Sequence, residues 1–329
     1  MDLKKVKKAT KKRLKVAYLN YRALDFFMEK IKLTFLGTSG AVPQKDKNFA
    51  SCIISFKGQH ILFDCPEGTQ RQLMISDTSL MKINNVFISH MHADHFLGLF
   101  GWIATMTLNE RREKLTIFSP RGGKQKLTKM MKEVIKPCFK IEYKEVKTGS
   151  MIKNKDFEIR AFPLKHEISC YGFSFKEKDL AGRFNRKKAE KLGIPSGPLY
   201  SKLVAGKTIS INGKKFTKKD VFDYSKAKAG RKVVIVADTR PVNATIKAAK
   251  DADVLIHESN FLSTQLDKAK DTFHSTSLEA AEIAKKAKVK QLLLFHFSAR
   301  NSNIEEYETD AKKVFKNSKA VKDFEVIEL

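Results

Sequence analysis

Six consecutive residues contain four side chains that can bind a metal ion: His90, His92, Asp94 and His95. They follow the apolar run 86–89, where a strand is expected to end. Side chains two apart in an extended chain point to the same side, so His90 and His92 can bind one ion. Asp94 and His95 follow on a turn and can face a second ion. Paired ions with such ligands promote phosphoryl and acyl hydrolysis. A surface cluster of polar residues is the alternative, but chance seldom places these ligand types at this spacing.

Three later predicted strands also end on a potential ligand or catalyst: Asp238, His257 with Glu258, and His296. Active sites collect on loops at the ends of strands, because a rigid sheet fixes their positions. His166 and His274 lie in further short motifs, whereas His60 lies outside all of them and is interpreted as structural.

The rest of the chain alternates short apolar strands with helices, and these elements must position the polar groups. Strands are predicted over 31–36, 51–56, 60–64, 85–89, 114–119, 140–146, 157–162, 171–175, 232–239, 254–258 and 291–296. Helices are predicted after residue 70 and over 96–108, 124–136, 242–250 and 277–287. The alternation predicts an α/β protein in which helices cover sheets.

Positive charge is concentrated in two segments. The 329 residues include 64 Lys+Arg against 36 Asp+Glu, a net charge of +28. Residues 1–30 contain ten Lys/Arg against three Asp/Glu, and residues 176–232 contain seventeen against five. A field of this sign favours a polyanionic partner. A Lys-rich proteome is the alternative explanation, because basic composition alone is weak evidence for binding.

Both basic segments stand apart from the predicted core. Residues 176–231 are polar, with Gly-Pro punctuation at 193–198, and are interpreted as an insertion that projects from the core. Residues 1–30 form a basic N-terminal extension. It is either an RNA-contacting arm or a segment upstream of a true start at Met28, because a clean strand begins at Ile31.

Cysteine usage and hydropathy bear on the compartment. The four cysteines form no CxxC pair, which favours reduced thiols in a cytoplasmic protein. No apolar run approaches the roughly 18 residues of a membrane span, and the basic N-terminus lacks the apolar region of a signal peptide. The sequence therefore predicts a soluble cytoplasmic protein with no membrane partner.

Taken together, the motifs resemble the metallo-β-lactamase superfamily and, within it, the ribonuclease Z family. The matching stretches are 35–39, 64–70, 90–95, His166, 237–241, 257–260, 274–276 and 296–300. The His-x-His-x-Asp-His stretch alone supports only the superfamily. The His-Ser-Thr element at 274–276, the His-x-Ser-Ala-Arg element at 296–300 and the Gly-Pro insertion favour ribonuclease Z. The resemblance covers about residues 31–329.

This resemblance implies an αββα sandwich with an inserted basic flexible arm, or exosite, at 176–231. It implies an endoribonuclease that removes the 3′ trailer from precursor tRNA by metal-hydroxide attack on a phosphodiester. The tRNA would keep a 3′-hydroxyl and the trailer a 5′-phosphate. Two Zn²⁺ per subunit are implied, with Mn²⁺ as the alternative metal. A homodimer is also implied, in which the arm of one subunit serves the other subunit's active site.

The resemblance also assigns site residues. One zinc would be held by His90, His92 and His166, and the other by Asp94, His95 and His296, with Asp238 bridging. The implied catalytic residues are Asp94, Glu258 and His274. In this scheme Glu258 orients His274, which protonates the leaving ribose oxygen. A supporting hydrogen bond without an acid role is the alternative for the Glu258–His274 pair.

RNA contacts are implied on the loop 43–48, on the arm and after the last strand: Lys45, Lys47, Arg183, Arg186, Lys187, Lys188, Gly197, Pro198 and Arg300. The chain departs from the family pattern at Lys47, where an Arg is usual; the charge remains but the bidentate fork is lost. Ala93 and Ala237 stand where Gly is commoner, which requires a negative φ at both positions.

Two other classes of protein remain alternatives. The first is another hydrolase of the superfamily, such as an arylsulfatase or a cyclic-nucleotide phosphodiesterase, which has no need of a basic arm. The second is a non-catalytic RNA-binding protein with structural zinc. Structural zinc sites are usually closed and rich in cysteine, whereas the ligands here are nitrogen and oxygen atoms.

Overall fold

The computed structural model describes residues 29–180, 182–225 and 227–329. Residues 1–28, which make up most of the predicted N-terminal extension, lie outside the described residues. The first ten strands are β1 (Lys32–Gly37), β2 (Ser39–Gly40), β3 (Ser51–Phe56), β4 (Gln59–Phe63), β5 (Ile83–Phe87), β6 (Leu115–Ser119), β7 (Ile141–Glu145), β8 (Gly149–Lys153), β9 (Phe157–Pro163) and β10 (Tyr171–Glu177). The next ten are β11 (Arg183–Phe184), β12 (Ile209–Ile211), β13 (Lys214–Phe216), β14 (Phe222–Asp223), β15 (Lys232–Val236), β16 (Val254–Glu258), β17 (Gln291–Phe295), β18 (Phe297–Ser298), β19 (Ser318–Ala320) and β20 (Val326–Glu328).

The helices alternate with these strands. The α-helices are α1 (Thr69–Ile75), α2 (Ala93–Phe96), α3 (Gly98–Leu108), α4 (Gly123–Val134), α5 (Arg186–Lys191), α6 (Pro198–Val204), α7 (Lys218–Val221), α8 (Asn243–Ala249), α9 (Leu266–Asp271), α10 (Ser277–Ala287) and α11 (Ile304–Lys312). Two short 3-10 turns lie at Leu80–Lys82 and Ser263–Gln265. None of the helices in the described residues combines the length and the apolar character that crossing a membrane requires.

Two seven-stranded sheets form the centre of the molecule. The order of the first sheet is β20-β1-β3-β4-β5-β6-β7, and that of the second is β19-β17-β16-β15-β10-β9-β8. Each sheet has a parallel half, β4 to β7 in the first and β15, β16, β17 and β19 in the second. The remaining neighbours in both sheets pair antiparallel.

Alternation along the strands creates four layers. In β15, Val233 and Ile235 join the core between the sheets, whereas Val234 and Val236 pack with residues of α8, α10 and α11. The first sheet is likewise covered on its outer face by α1, α3 and α4. Successive side chains of a strand point to opposite faces, so a continuous apolar run buries both faces. The predicted αββα architecture is confirmed.

The segment between β10 and β15 has a core of its own. These two strands are antiparallel neighbours, and Leu180 and Lys228 continue their ladder with main-chain hydrogen bonds of 2.9 and 3.2 Å. Beyond this base the chain forms β11–β14 and α5–α7 around a cluster of buried apolar residues: Ala189, Ile194, Leu203, Ile209, Val221 and Phe222. We call residues 176–231 the inserted segment.

Some elements differ from the prediction for physical reasons. The predicted helix 96–108 begins earlier, at Ala93, and is interrupted at Leu97, so that α2 carries Asp94 and His95 on its first turn. Strands β8, β19 and β20 and helix α11 were not predicted. β20 completes the first sheet by pairing with β1, almost 300 residues away in sequence, and no local pattern contains that information.

All four cysteines are free, as the sequence predicted.

Candidate metal centre and active site

Strand ends bring the site residues together at one edge of the two sheets. The residues and the strands they follow or end are His90, His92, Asp94 and His95 after β5, His166 after β9, Asp238 after β15, Glu258 at the end of β16 and His296 after β17. β15, β16 and β17 are parallel, so their carboxyl ends lie at the same edge. The neighbouring segments of the first sheet meet them there, since the Tyr171 amide donates to the Ser89 carbonyl over 3.0 Å.

Three imidazoles form the first group of potential ligands. His92 Nδ1 lies 3.0 Å from His90 Nε2 and 3.2 Å from His166 Nε2. Ligands of a tetrahedral zinc with bonds of about 2.05 Å are roughly 3.3 Å apart. The three nitrogen atoms therefore have the spacing of ligands around one ion.

A second group contains Asp94, His95 and His296. His95 Nε2 lies 3.6 Å from Asp94 Oδ2. Asp238 lies between the two groups: its Oδ1 is 3.2 Å from His296 Nε2, and its Oδ2 is 3.6 Å from His95 Nε2 and 3.8 Å from His90 Nε2. One carboxylate thus faces donor atoms of both groups.

Buried atoms without partners test whether these residues fit a metal. Within the described chain, His95 Nε2, His296 Nε2 and Asp238 Oδ1 are buried and make no hydrogen bond. A buried polar atom left unpaired costs about 1–3 kcal/mol. A divalent cation would satisfy all three atoms, and nitrogen and carboxylate oxygen are its usual ligands. The donor set therefore fits a divalent metal.

Hydrogen bonds to Nδ1 fix the ring orientation of two imidazoles, those of His95 and His166. Asp64 Oδ2 lies 2.9 Å from His95 Nδ1 and accepts a hydrogen bond from the Ser89 hydroxyl at 2.8 Å. His166 Nδ1 donates to the carbonyl of Phe273 over 3.2 Å. Each bond leaves the Nε2 atom directed at the ligand cluster, as is usual for metal-binding histidines. The sequence prediction missed this role of Asp64. The sequence shows that Asp64 follows a predicted strand, but only the structure shows that this strand, β4, is the parallel neighbour of β5.

Glu258 and His274 form a buried pair beside the ligands. The Glu258 carboxylate accepts a hydrogen bond from His274 Nδ1 at 3.0 Å. It also accepts main-chain amides at 2.9–3.0 Å from Thr239, Ser275 and Asn260. His274 Nε2 lies 3.9 Å from Asp238 Oδ2. Glu258 therefore holds the ring so that Nε2 faces the cluster, where a reacting oxygen can be reached.

Electrostatics separate the roles of the histidines. Burial lowers the pKa of His274, but the charges of Glu258 and Asp238 outweigh it and raise the pKa to about 9. Burial lowers the pKa of His166 and His296, which keeps them neutral, as metal ligands must be. Although burial would raise the pKa of Asp238, the surrounding imidazoles hold it well below its usual value. In His95, burial is outweighed by the charges of Asp238 and Asp64, which raise its pKa well above the usual value. The shifts thus favour an ionised Asp238, neutral His166 and His296, and a protonated His274 beside them.

The main chain is strained where it delivers two of these groups. Asp64 and His296 have φ of 57° and 61°, a left-handed conformation that costs about 1–3 kcal/mol. Gly40 packs against His296, and a Cβ there would lie 2.6 Å from His296 Nδ1. Ala93 and Ala237 have no positive φ, so the condition that the sequence set for an alanine is met at both positions.

The predicted RNA-binding residues fall in two regions. Lys45, Lys47 and Arg300 lie on neighbouring loops near the metal edge, where Lys47 Nζ donates to the Ser302 carbonyl over 3.2 Å. Six others are exposed or partly paired on the inserted segment: Arg183, Arg186, Lys187, Lys188, Gly197 and Pro198. His257, grouped with Glu258 from the sequence, is fully buried and belongs to none of the ligand groups in the described chain.

Comparisons with known proteins agree with this geometry. A family model described as "Anti-Pycsar protein Apyc1" matches residues 31–181. Ribonuclease Z of Archaeoglobus fulgidus is 42% identical over 91% of this chain and 97% of its own length. The crystal structure of human tRNase Z, short form, superposes with a TM-score of 0.65 at 26% identity, covering 90% of this chain and 98% of that one.

The metallo-β-lactamase fold protein YhfI from Bacillus subtilis has the same fold, with a TM-score of 0.67 at 20% identity over 92% of this chain and all of its own. The resemblance inferred from the motifs is therefore confirmed over most of the chain: it belongs to the ribonuclease Z family.

Proposed function

We propose that this chain is a metal-dependent endoribonuclease that removes the 3′ trailer from precursor tRNA. The observation that carries the proposal is the convergence of two ligand groups on Asp238, directly beside the His274–Glu258 pair. Such a site can hold a phosphodiester, provide a nucleophile on one side and protonate the leaving group on the other. Family membership selects precursor tRNA as the substrate.

The proposed metals are two divalent cations, with Zn²⁺ preferred for its nitrogen and oxygen ligands. His90, His92 and His166 would hold one, Asp94, His95 and His296 the other, and Asp238 both. When bound, a pair of such cations supplies a nucleophilic water at neutral pH and neutralises charge on the phosphate. Asp64 and Phe273 support the cations indirectly, through the Nδ1 atoms of His95 and His166.

His274 is proposed to be the general acid. Its pKa of about 9 keeps Nε2 protonated at neutral pH. As the bond between phosphorus and the ribose 3′-oxygen breaks, Nε2 donates its proton to that oxygen, and Glu258 stabilises the ring through Nδ1. The products are a tRNA with a 3′-hydroxyl and a trailer with a 5′-phosphate.

The inserted segment is proposed to bind the tRNA backbone away from the reacting bond. Lysines from three of its elements surround one concave surface of about 460 Å³: Lys188, Lys214, Lys215 and Lys219. Lysine ammonium groups contact phosphates and do not read base edges. Such a surface therefore recognises the course of the RNA backbone, that is, the shape of the RNA. Phe216 lines the same surface and adds an apolar contact.

A homodimer is proposed because the inserted segment lies far from its own active site. Its C-terminal end joins β15 at Lys232, six residues before Asp238, and six residues correspond to about 20 Å of strand. A partner-facing surface is available on α1 and the residue after α2, where Met74 is 68%, Ile75 50% and Leu97 37% exposed. Sedimentation velocity tests this: Met74→Glu should convert a dimer to a monomer, and a monomeric unsubstituted protein would refute the proposal.

The decisive experiment incubates the protein with an end-labelled tRNA precursor, with Zn²⁺ or with a chelator. We expect one cut at the 3′ end of the tRNA in the presence of metal and none after chelation. The trailer should carry a 5′-phosphate, which is detected by its ligation to a 3′-hydroxyl acceptor. Absence of cleavage with metal, together with hydrolysis of a cyclic nucleotide, would instead identify a phosphodiesterase of the same superfamily.

A further inference from the structure

Arg240 connects the loop that carries Asp238 with the loop that carries His274. Its Nη1 donates to the main-chain carbonyl of His274, and its guanidinium forms a two-pronged ion pair with Glu279, in which Nη1 lies 3.0 Å from Oε2. Both side chains are largely buried, at 14% and 18% exposure. A bidentate pair of this kind fixes the plane of the guanidinium, which a single ammonium cannot do.

Both partners of this ion pair are themselves anchored. The Arg240 amide donates to the Lys165 carbonyl over 2.9 Å, directly before His166. Glu279 lies in the first turn of α10, where its carboxylate accepts the Thr276 amide at 3.0 Å in a capping box. The ion pair therefore joins rigid points on two elements and holds the carbonyl of His274 between them.

The loop it holds carries two functional groups and a strained residue. Phe273 has φ of 57°, and its carbonyl accepts the hydrogen bond from His166 Nδ1. His274 follows directly, with Nε2 3.9 Å from Asp238 Oδ2. A residue in this conformation needs external support to persist, and the Arg240 bond to the next carbonyl supplies it.

We propose that the Arg240–Glu279 ion pair is a positioning device for His274. The ion pair acts through the main-chain carbonyl of His274. By holding that carbonyl, it fixes the position of the imidazole that donates a proton to the leaving oxygen. The inference rests on the proposed acid role of His274. It assigns to Arg240 and Glu279 a contribution to kcat for cleavage of RNA, without contact to substrate or metal.

Two substrates with different leaving groups distinguish a positioning role for His274 from a general structural defect of the active site. A ribose 3′-oxygen needs a proton to leave, whereas a nitrophenolate leaves without one. Arg240→Lys keeps the charge and loses the fork, and Glu279→Gln keeps the size and loses the charge. Each should lower kcat for the tRNA precursor about 10- to 100-fold at unchanged KM. Each should leave hydrolysis of bis(p-nitrophenyl) phosphate and the bound metal, measured by elemental analysis, unchanged.

A double-mutant cycle with His274→Ala completes the test. If the pair acts through His274, Arg240→Lys should cause no further loss in the His274→Ala background. Arg160→Lys, in the exposed pair with Glu158 on β9, is the matched control and should behave as the unsubstituted protein. Melting temperatures of all variants show whether each one is folded. If Arg240→Lys does not fold, the kinetic test of the ion pair is carried out with Glu279→Gln instead.

Four results would overturn the inference. Equal losses on both substrates would show a structural role, and full additivity with His274→Ala would show action on another group. A slow His274→Ala enzyme beside a fully active Arg240→Lys enzyme would refute the ion pair's role alone. If His274→Ala itself cleaves RNA at the full rate, the acid role fails and the positioning role fails with it.

Discussion

The polar residues at the two ends of strands β10 and β15 differ in burial. At the metal edge the carboxylates of Asp64, Asp238 and Glu258 are buried, and each is surrounded by imidazoles or main-chain amides. At the other end, the inserted segment exposes its lysines around a small apolar core. The same pair of strands thus separates a buried polar network from an exposed charged surface.

This difference fits the proposed roles of the two regions, cleavage at the ligand groups and RNA binding on the inserted segment. A reacting phosphorus atom requires donors held within fractions of an ångström, and only buried, mutually bonded groups achieve that. An RNA backbone presents repeated charges, which ammonium groups on flexible stems can follow without precise placement. Substitutions at the two ends should therefore damage different steps, and three predictions test this separation.

The largest effect is expected at Asp238. Asp238→Ala removes a carboxylate that faces both ligand groups, so cleavage should fall by more than about 10³-fold and bound metal should decrease. Single-turnover cleavage and elemental analysis measure the two effects. Asp253→Ala serves as the control, because Asp253 pairs with Lys290 before β16, at the opposite edge. An Asp238→Ala enzyme with full metal content and activity would remove Asp238 from the site.

The next effect is expected from excising the inserted segment. Leu180 and Lys228 are paired neighbours, so an Asn-Gly turn can replace residues 181–227 without stretching β10 or β15. Precursor tRNA should bind at least about 10²-fold more weakly, and its salt dependence should flatten by roughly 0.7–0.9 per lost phosphate contact.

Hydrolysis of bis(p-nitrophenyl) phosphate by the excised protein is the internal control, since the ligand groups lie outside the excised residues. It should proceed at the original rate. Precursor affinity that survives the excision would show that the tRNA is bound elsewhere on the molecule, and the proposed role of the segment would be abandoned.

The smallest and most selective effect is expected at Leu203, which is fully buried in the core of the inserted segment. Leu203→Ala should cost about 2–5 kcal/mol, confined to that core. Calorimetry should show an unchanged main transition, and amide exchange should accelerate only within the segment. Leu293→Ala, between the two sheets, is the matched substitution and should lower the main transition. Identical shifts for both would mean that the segment and the sheets unfold as one unit.

The fold was largely predictable, because alternation of strands and helices is a local property of sequence. The ligand motif was predictable for the same reason: His90, His92, Asp94 and His95 are adjacent in the chain. That His166, Asp238 and His296 join them depends on strand order, and the family resemblance supplied that information. The structure brings all seven residues together, while their individual roles remain predictions.

What the sequence did not reveal depends on contacts between distant residues. The role of Asp64 requires β4 and β5 to be parallel neighbours, and the bond from Arg240 to His274 requires two separate loops to meet. The core of the inserted segment was hidden for another reason. Its apolar residues are scattered among lysines with no regular period, so composition alone indicated a polar projection.

The base of the inserted segment also bears on how such enzymes can change. Since Leu180 and Lys228 simply extend an existing hairpin, any sequence whose two ends can stand about 5 Å apart fits the same junction. If the inserted segment binds RNA as proposed, recognition can be exchanged together with it, by recombination or by design, with no residue of the ligand groups altered. A single hydrolytic scaffold could in this way acquire new nucleic-acid substrates by exchanging one loop.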